Sequence, residues 1–549
     1  MAHLALKSRM RMRCHGLFSF LTLLCLSRPL SIQAWSITPK SRPVLQFYNS
    51  ETRTKQPLTK DPAKDTITMY TCGPTVYDAA HLGNFRAFLT YDVMKRVLQY
   101  FGYKVEHVCN LTDVDDKIIK KANAMNAKDA KEITVMYEQR FLRDLDRLNI
   151  VRATHYPRAT EHIPEMMQLI TNLQQNGLAY ETKDGSWYFR TRAQPKYGQR
   201  LVQNQVDDDD TTVINNSDDD NNTDKEHPAD FCLWKAFKEG VDRDDLAWSS
   251  TTISRGRPGW HLECSAMSRK FFPRTLDFHG GGHDLKFPHH ENEIAQSEGA
   301  FPDTLPFCNC WFHNGFVTIS EQDTKMSKSL GNFLTLESAC PTPLQVRAYR
   351  YLVVTSQYRQ DLKFTTESMQ ASTKALKRMD KVWSALQSYC EPEVGITDYR
   401  DVDGRVQAQW ENFETAIADD LSMPRATACL FALIKLAEQE LKSSGDTDMD
   451  ETKKHLLQSI ALVMRKMDQV LGVFYTVPED DSASDADDQS ARHDNNTIPE
   501  RVQNLVEQRK EAKKNKDYAL ADQLRQEILE CGFVVQDGAQ GVTVMPVEA

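Results

Sequence analysis

The chain reads as an α/β protein: a parallel-sheet domain carrying an insertion, then an α-helical bundle, then a small C-terminal α/β module. Three observations predict this. Between residues 66 and 108 the pattern runs strand, Gly-containing loop, helix, strand, which is a βαβ unit and therefore a parallel sheet. From about 340 to 476 the apolar spacing is helical, as in Ala428-Cys429-Leu430-Phe431-Ala432-Leu433-Ile434-Lys435-Leu436. After Gly532 the stretches Phe533-Val534-Val535 and Val542-Thr543-Val544 form a short β-like tail behind a helical segment at 498–531.

Residues 1–34 read as the signal-peptide part of a targeting presequence. Lys7, Arg9, Arg11 and Arg13 precede an apolar run at 17–26, which is too short to span a bilayer, where about 20 residues are needed. Residues 35–43 continue as a basic, hydroxylated transit segment, and no acid appears before Glu51. The junction Gln33-Ala34-Trp35 resembles the cut site of bipartite plastid presequences. A plastid address is therefore expected, with mitochondrial import or dual targeting as alternatives. Secretion would put free thiols in an oxidising compartment.

The sheet domain is expected over 44–335. Thr66-Ile67-Thr68-Met69-Tyr70-Thr71 is rich in β-formers and ends at the turn residues Cys72-Gly73-Pro74. A helical pattern follows from Phe85 through Phe88, Val93, Val97 and Leu98 to Gly102, and Lys104-Val105-Glu106-His107-Val108 is the next strand. Gly83 lies just before the helix N-terminus, the usual place for a phosphate. An insertion at about 145–255 separates the two halves of the sheet, and its acidic, Asn-rich part at 206–224 is expected to be disordered. The bundle spans 336–476, an acidic linker 477–497, and the terminal module 498–549.

The net charge of −10 over 549 residues argues against a nucleic-acid partner at first sight. Two blocks carry the surplus: 207–224 has eight acids and no base, and 479–494 has seven acids and Arg492. Outside these and the basic leader the body is near −1, which permits local basic surfaces without showing one. Twelve cysteines are too sparse for a disulfide scaffold and point to a reducing compartment. The close pair Cys308 and Cys310 reads as two core positions on one face of a strand.

Four residues carry the strongest chemistry: Cys72, Cys264, His289 and Glu293. Two thiolates, an imidazole and a carboxylate form a zinc-compatible set, and His289 and Glu293, four apart, point to one side of a helix. The ligands alone leave two readings open, a zinc that staples the fold and a zinc that meets a substrate. His81-Leu82-Gly83-Asn84 is by itself either a helix-capping turn or a phosphate site. Lys325-Met326-Ser327-Lys328-Ser329 is either a solvated basic loop or a loop that neutralises a departing pyrophosphate. Gly280-Gly281-Gly282 with Asp284 is either a glycine turn or a nucleotide contact.

Together these segments resemble the cysteinyl-tRNA synthetases, which are class I enzymes. The resemblance rests on Tyr70-Thr71-Cys72-Gly73-Pro74-Thr75-Val76-Tyr77-Asp78, His81-Leu82-Gly83-Asn84, Asn110-Leu111-Thr112-Asp113-Val114-Asp115-Asp116-Lys117-Ile118 and Pro258-Gly259-Trp260-His261-Leu262-Glu263-Cys264-Ser265-Ala266-Met267. Phe278-His279-Gly280-Gly281-Gly282-His283-Asp284-Leu285, Phe287-Pro288-His289-His290-Glu291-Asn292-Glu293 and Lys325-Met326-Ser327-Lys328-Ser329 complete it, in family order across about 44–549. Asn84 stands where the general class I signature has a second His, as in many members of this family.

The resemblance implies a Rossmann-like catalytic domain with an inserted connective domain. It further implies ligation of L-cysteine to tRNA(Cys) through cysteinyl-adenylate, with ATP, Mg²⁺ and one Zn²⁺. Cys72, Cys264, His289 and Glu293 would hold the zinc, which also binds the substrate thiol. His81, Gly83, Asn84, Gly282, Asp284, Lys325, Ser327 and Lys328 would bind ATP, with His81, Asn84, Lys325 and Lys328 acting in catalysis. Gly73, Thr112, Trp260 and His279 would line the cysteine pocket. The bases Arg509, Lys510, Lys513, Lys514 and Lys516 either meet tRNA phosphates or form a solvated face, since Glu507, Glu511 and Asp517 interleave them. A monomer with no membrane partner in its mature form is expected. A cysteine:amino-sugar ligase on the same core and an inactive tRNA-binding paralogue are the rival readings. The full tRNA-binding half disfavours the first, and the complete ligand and lysine sets disfavour the second.

Overall fold

A computed structural model describes residues 42–202, 224–319, 324–325, 333–389, 396, 398–442 and 450–478, with short stretches between 505 and 546. The leader, all but the end of the acidic stretch at 206–224, and nearly all of the linker at 477–497 lie outside these residues. The chain divides into two units, Met1–Pro478 and Glu479–Ala549.

Thr66–Thr71 (β1) is buried at all but two positions, as a central strand must be. It crosses through the helix Leu82–Tyr100 (α1) to its parallel neighbour Lys104–Cys109 (β2). Three helices follow, Asp116–Ala124, Ala130–Arg147 and Ile163–Gln175. Then comes an antiparallel sheet of Ala179–Glu181 (β3), Trp187–Phe189 (β4), Phe231–Ala236 (β5) and Gly256–Pro258 (β6), paired in chain order. In this inserted sheet Phe189 and Phe231 stack at 4.9 Å, within a core that also takes in Tyr70, Val108 and Leu276 of the parallel sheet.

The chain returns through the helix Trp260–Phe271 (α2) to Leu276–Gly282 (β7). β7 pairs in parallel with β1. After the helix Glu291–Ala300 (α3), Cys308–Asn314 (β8) pairs in parallel with β7. The order is therefore β8-β7-β1-β2, all parallel, with the insertion between its halves. In β8, Cys308 and Cys310 are buried and Asn309 is exposed, so the pair shares one core face.

A second, smaller sheet adjoins. Val317–Ile319 (β9) pairs antiparallel with Thr324–Lys325 (β10) and parallel with Leu362–Phe364 (β11), with the helix Pro343–Val354 (α4) between. Thr366–Leu386 (α5), Gly404–Ala418 (α6), Met423–Lys442 (α7) and Glu451–Leu471 (α8) form the bundle around Trp410, Leu430, Leu433 and Met464. Among the described residues no helix is long and apolar enough to cross a membrane.

In the second unit, Phe533–Gly538 (β12) and Gly541–Pro546 (β13) form an antiparallel hairpin, and Ala512, Ala521 and Leu524 pack with Leu505. Arg509 is buried and Lys510 exposed.

Candidate metal and nucleotide site

The C-terminal ends of β1 and β7 open onto one site, where parallel sheets place their ligands. Cys72 follows β1 directly. Cys264 lies on α2 and Glu293 in the first turn of α3. His289 lies not in a regular α-helix but in a π turn at Lys286–His290 that precedes α3. The i,i+4 relation survives the irregularity, since His289 Nε2 lies 3.1 Å from Glu293 Oε1.

The four ligand atoms all lie within 4.8 Å of one another, and all four residues are buried. Cys72 Sγ is 3.8 Å from Cys264 Sγ and 3.6 Å from Glu293 Oε1. A second possible set shares Cys72 and Glu293 and substitutes His279 and His290. Hydrogen bonding separates the two. His279 Nε2 sits 2.8 Å from Glu293 Oε2. His290 Nε2 sits 3.3 Å from Cys72 Sγ, and its Nδ1 is 2.8 Å from His313 Nε2. These two rings support ligands, as an outer shell does. His289 Nε2, in contrast, faces Glu293 Oε1 at 3.1 Å without hydrogen-bond geometry, while its Nδ1 is held 2.9 Å from His261 Nδ1. A buried nitrogen aimed at two sulfurs and a carboxylate is what a metal ion satisfies. The donor set fits zinc.

Electrostatics agree with that fit. Burial would raise the Glu293 carboxyl, but the His279 and His289 imidazoles outweigh it and hold it near 2. A hydrogen bond from Cys72 lowers the Cys264 thiol to about 6, whereas burial pushes Cys72 up.

Around the four ligands lie the residues expected at a cysteine pocket. Trp260, the first residue of α2, stacks on the His289 ring at 4.3 Å. The Gly73 N–H donates to Asn110 Oδ1 at 3.0 Å. Thr112 is buried and donates to Glu263 Oε2 at 2.7 Å. His279 is fully buried between Tyr70 and Trp311 and turned towards Glu293.

Asn110, Glu263, His261, His290 and His313 were not anticipated from the sequence. Asn110 joins three of the parts, since its Oδ1 lies 3.6 Å from Cys264 Sγ and its Nδ2 donates to Thr112 at 3.4 Å. The available signal was adjacency: Glu263 neighbours Cys264, and His290 neighbours His289.

His81 caps the N-terminus of α1. Its Nδ1 accepts the Asn84 N–H at 3.2 Å, and Asn84 Oδ1 accepts the His81 N–H at 3.1 Å, closing a capping box. Gly83 is needed because a Cβ there would press on the His81 ring at 2.9 Å. Both readings of this tetrapeptide thus coexist: it is a cap, and its helix end is an anion site. Gly282 ends β7, and Asp284 follows in a 3₁₀ turn. Lys325 pairs through β10 with Thr318. Ser327 and Lys328 lie outside the described residues.

Comparison with known proteins adds an independent line. Residues 59–374 match the family model for the tRNA synthetases class I (C) catalytic domain. Residues 412–475 match the DALR domain, and 495–544 the cysteinyl-tRNA ligase anticodon binding domain. The chain is 39% identical over 502 residues to the cysteine–tRNA ligase of Chlamydia pneumoniae, covering 91% of this chain and 98% of the relative. Against that of Lactiplantibacillus plantarum it is 37% identical over 499 residues, covering 91% and 99%. Among solved structures, Mycobacterium tuberculosis methionyl-tRNA synthetase in complex with methionyl-adenylate has a TM-score of 0.52 at 14% identity, covering 76% of this chain and 92% of that one, and shares the fold. Sheet order and matches together define a class I aminoacyl-tRNA synthetase. Within that class, the chain belongs to the cysteine–tRNA ligase family.

Proposed function

We propose that the chain joins L-cysteine to tRNA(Cys) in two ATP-driven steps, for translation inside an organelle. The observation that carries this reading is the convergence of Cys72, Cys264, His289 and Glu293, all buried, with their ligand atoms within 4.8 Å of one another. Zinc held by these four would stabilise the substrate's thiolate, a bond from which a serine hydroxyl gains little.

The chain's own groups do the rest. Gly73, Thr112 and Trp260 wall the amino acid, while His279 holds Glu293 in place. The N-terminus of α1, with His81, Gly83 and Asn84, receives the phosphates of ATP·Mg²⁺, and Gly282 and Asp284 meet the nucleoside. The cysteine carboxylate attacks the α-phosphorus, and Lys325, Lys328 and Ser327 stabilise the leaving pyrophosphate. The terminal ribose hydroxyl of the tRNA then attacks the activated carbonyl. Positioning and charge stabilisation supply the catalysis. The bundle and the terminal module carry the tRNA. The basic, acid-free leader supports a plastid address.

The test is cysteinylation of a tRNA bearing a GCA anticodon by the purified chain, with cysteine-dependent ATP–pyrophosphate exchange measured alongside. Both activities are expected. Absence of exchange would overturn the reading, and exchange without charging would move it to a cysteine ligase with another acceptor. A fluorescent fusion of residues 1–60 tests the address, and its uniform secretion would refute it.

A further inference from the structure

Arg86 is a charged side chain in a place where charge is costly. It lies on α1, five residues after His81, and is 1% exposed. Its guanidinium donates to main-chain carbonyls: to Phe316 O at 2.6 Å, to Tyr358 O at 3.3 Å, and to Gln360 O. Burial pulls it down to about 10, so it stays charged at neutral pH. A buried cation held by carbonyl dipoles is an expensive device for packing alone. What it offers is a planar fork whose two terminal nitrogens reach three carbonyls on two chain segments, a spread that lysine's single nitrogen does not reproduce.

The segments it reaches are informative. Phe316 immediately precedes β9, whose Thr318 and Ile319 pair with Lys325 and Thr324. Tyr358 and Gln360 precede β11, the parallel neighbour of β9. Arg86 therefore grips the entry points of β9 and β11, two of the three strands of the small sheet. The joint is tight. Gly315 N–H donates to Tyr358 O at 2.9 Å, and a Cβ on Gly315 would press on Gln360 O. Exposed Asp361 accepts the Phe316 N–H at 2.8 Å. The chain beyond β10 is tied to the same helix end: Leu82 N–H donates to Leu334 O at 2.9 Å, and His81 bridges to Thr335.

We propose that Arg86 is a positioning residue that fixes β9 and β11, and through β9 the paired strand β10 with Lys325, against the helix carrying His81 and Asn84, so that two phosphate-binding segments meet one ATP at a set spacing. This rests on the cysteine-activating function proposed above. A misplacement of about 1 Å at a distance from the chemistry can cost about a hundredfold in rate. The loss should fall on the step that uses ATP and spare the step that does not.

The experiment compares wild type, Arg86→Lys and Asp361→Ala, the second altering the same joint from its exposed side. Active sites are first titrated by adenylate formation with pyrophosphatase present. Single-turnover adenylation is then measured per active site, and transfer from accumulated enzyme-bound adenylate to tRNA is measured separately. Adenylation should fall about a hundredfold in Arg86→Lys and about tenfold in Asp361→Ala, with transfer unchanged. A purely structural role would lower melting temperature and the titrated fraction but leave both rate constants alone. Unchanged adenylation per site, or equal falls in both steps, overturns the proposal. If Arg86→Lys does not fold, Asp361→Ala decides by the same criteria. Wild type without cysteine-dependent adenylation would instead overturn the function itself.

Discussion

Arg350 donates to Asp92 Oδ2 at 2.7 Å with both side chains wholly buried, and this contact ties α4 to α1. Arg96 Nε donates to both carboxylate oxygens at 2.9 Å, and Arg350 also donates to Leu471 O at the end of α8. Removing the carboxylate would strand two cations in the interior. Asp92→Ala should therefore cost about 3–5 kcal/mol, read by urea unfolding. A loss below about 1 kcal/mol would show that water reaches the pair.

The same pair sets a pH dependence. Burial would raise the Asp92 carboxyl, but Arg96, Arg350 and the Val151 N–H hold it below its ordinary value of 3.8. The folded state thus favours the ionised form. The stabilisation is complete above pH 3.8 and disappears as pH falls through the lowered folded value. Wild type and Asp92→Asn should converge in stability only in that acid range. A gap that stays constant down to the lowest pH would contradict the assignment.

Metal content discriminates among the histidines. Cys264→Ala should lose the bound zinc and with it cysteine-dependent exchange. His279→Ala should keep one zinc per chain at saturation but bind it about 10–100-fold more weakly, as outer-shell losses do. Chelator competition measures both. Equal effects in the two variants would mean that His279 is itself a ligand.

Gly73 has no room for a side chain, because a Cβ there would lie far inside the contact distance of the Asn110 carbonyl oxygen. Gly73→Ala must therefore push Cys72 and Asn110 apart. Cysteine-dependent exchange should fall about a hundredfold. A variant with wild-type KM for cysteine would show that the neighbouring chain yields.

Serine should be rejected by about 10⁴-fold or more in exchange, with no editing site required. Rejection by less than about tenfold would remove the metal from substrate selection.

Much of the frame could be read from the chain because it is local. β1, the glycine loop, α1 and β2 follow one another within 44 residues, each with its own period and boundary signal. The four candidate ligands, which the fold brings together, were legible by chemical type, although 221 residues separate Cys72 from Glu293. The inserted sheet was not legible, because β3, β4 and β6 have three residues each, too few to show alternation. Nor was the support behind the ligands. Asn110, His313 and Arg86 act through partners that only the fold brings near, and a lone Asn, His or Arg carries no spacing to read.

The capping box at the start of α1 also keeps an inventory of protons. It uses acceptor atoms, His81 Nδ1 and Asn84 Oδ1. A neutral imidazole whose Nδ1 accepts must carry its hydrogen on Nε2. The amide orientation is fixed in the same way, which leaves the Asn84 NH₂ outside the hydrogen bonds of the cap. The cap therefore chooses the tautomer of one side chain and the flip of the other before any nucleotide arrives. Both are set as donors, the polarity that a polyphosphate requires.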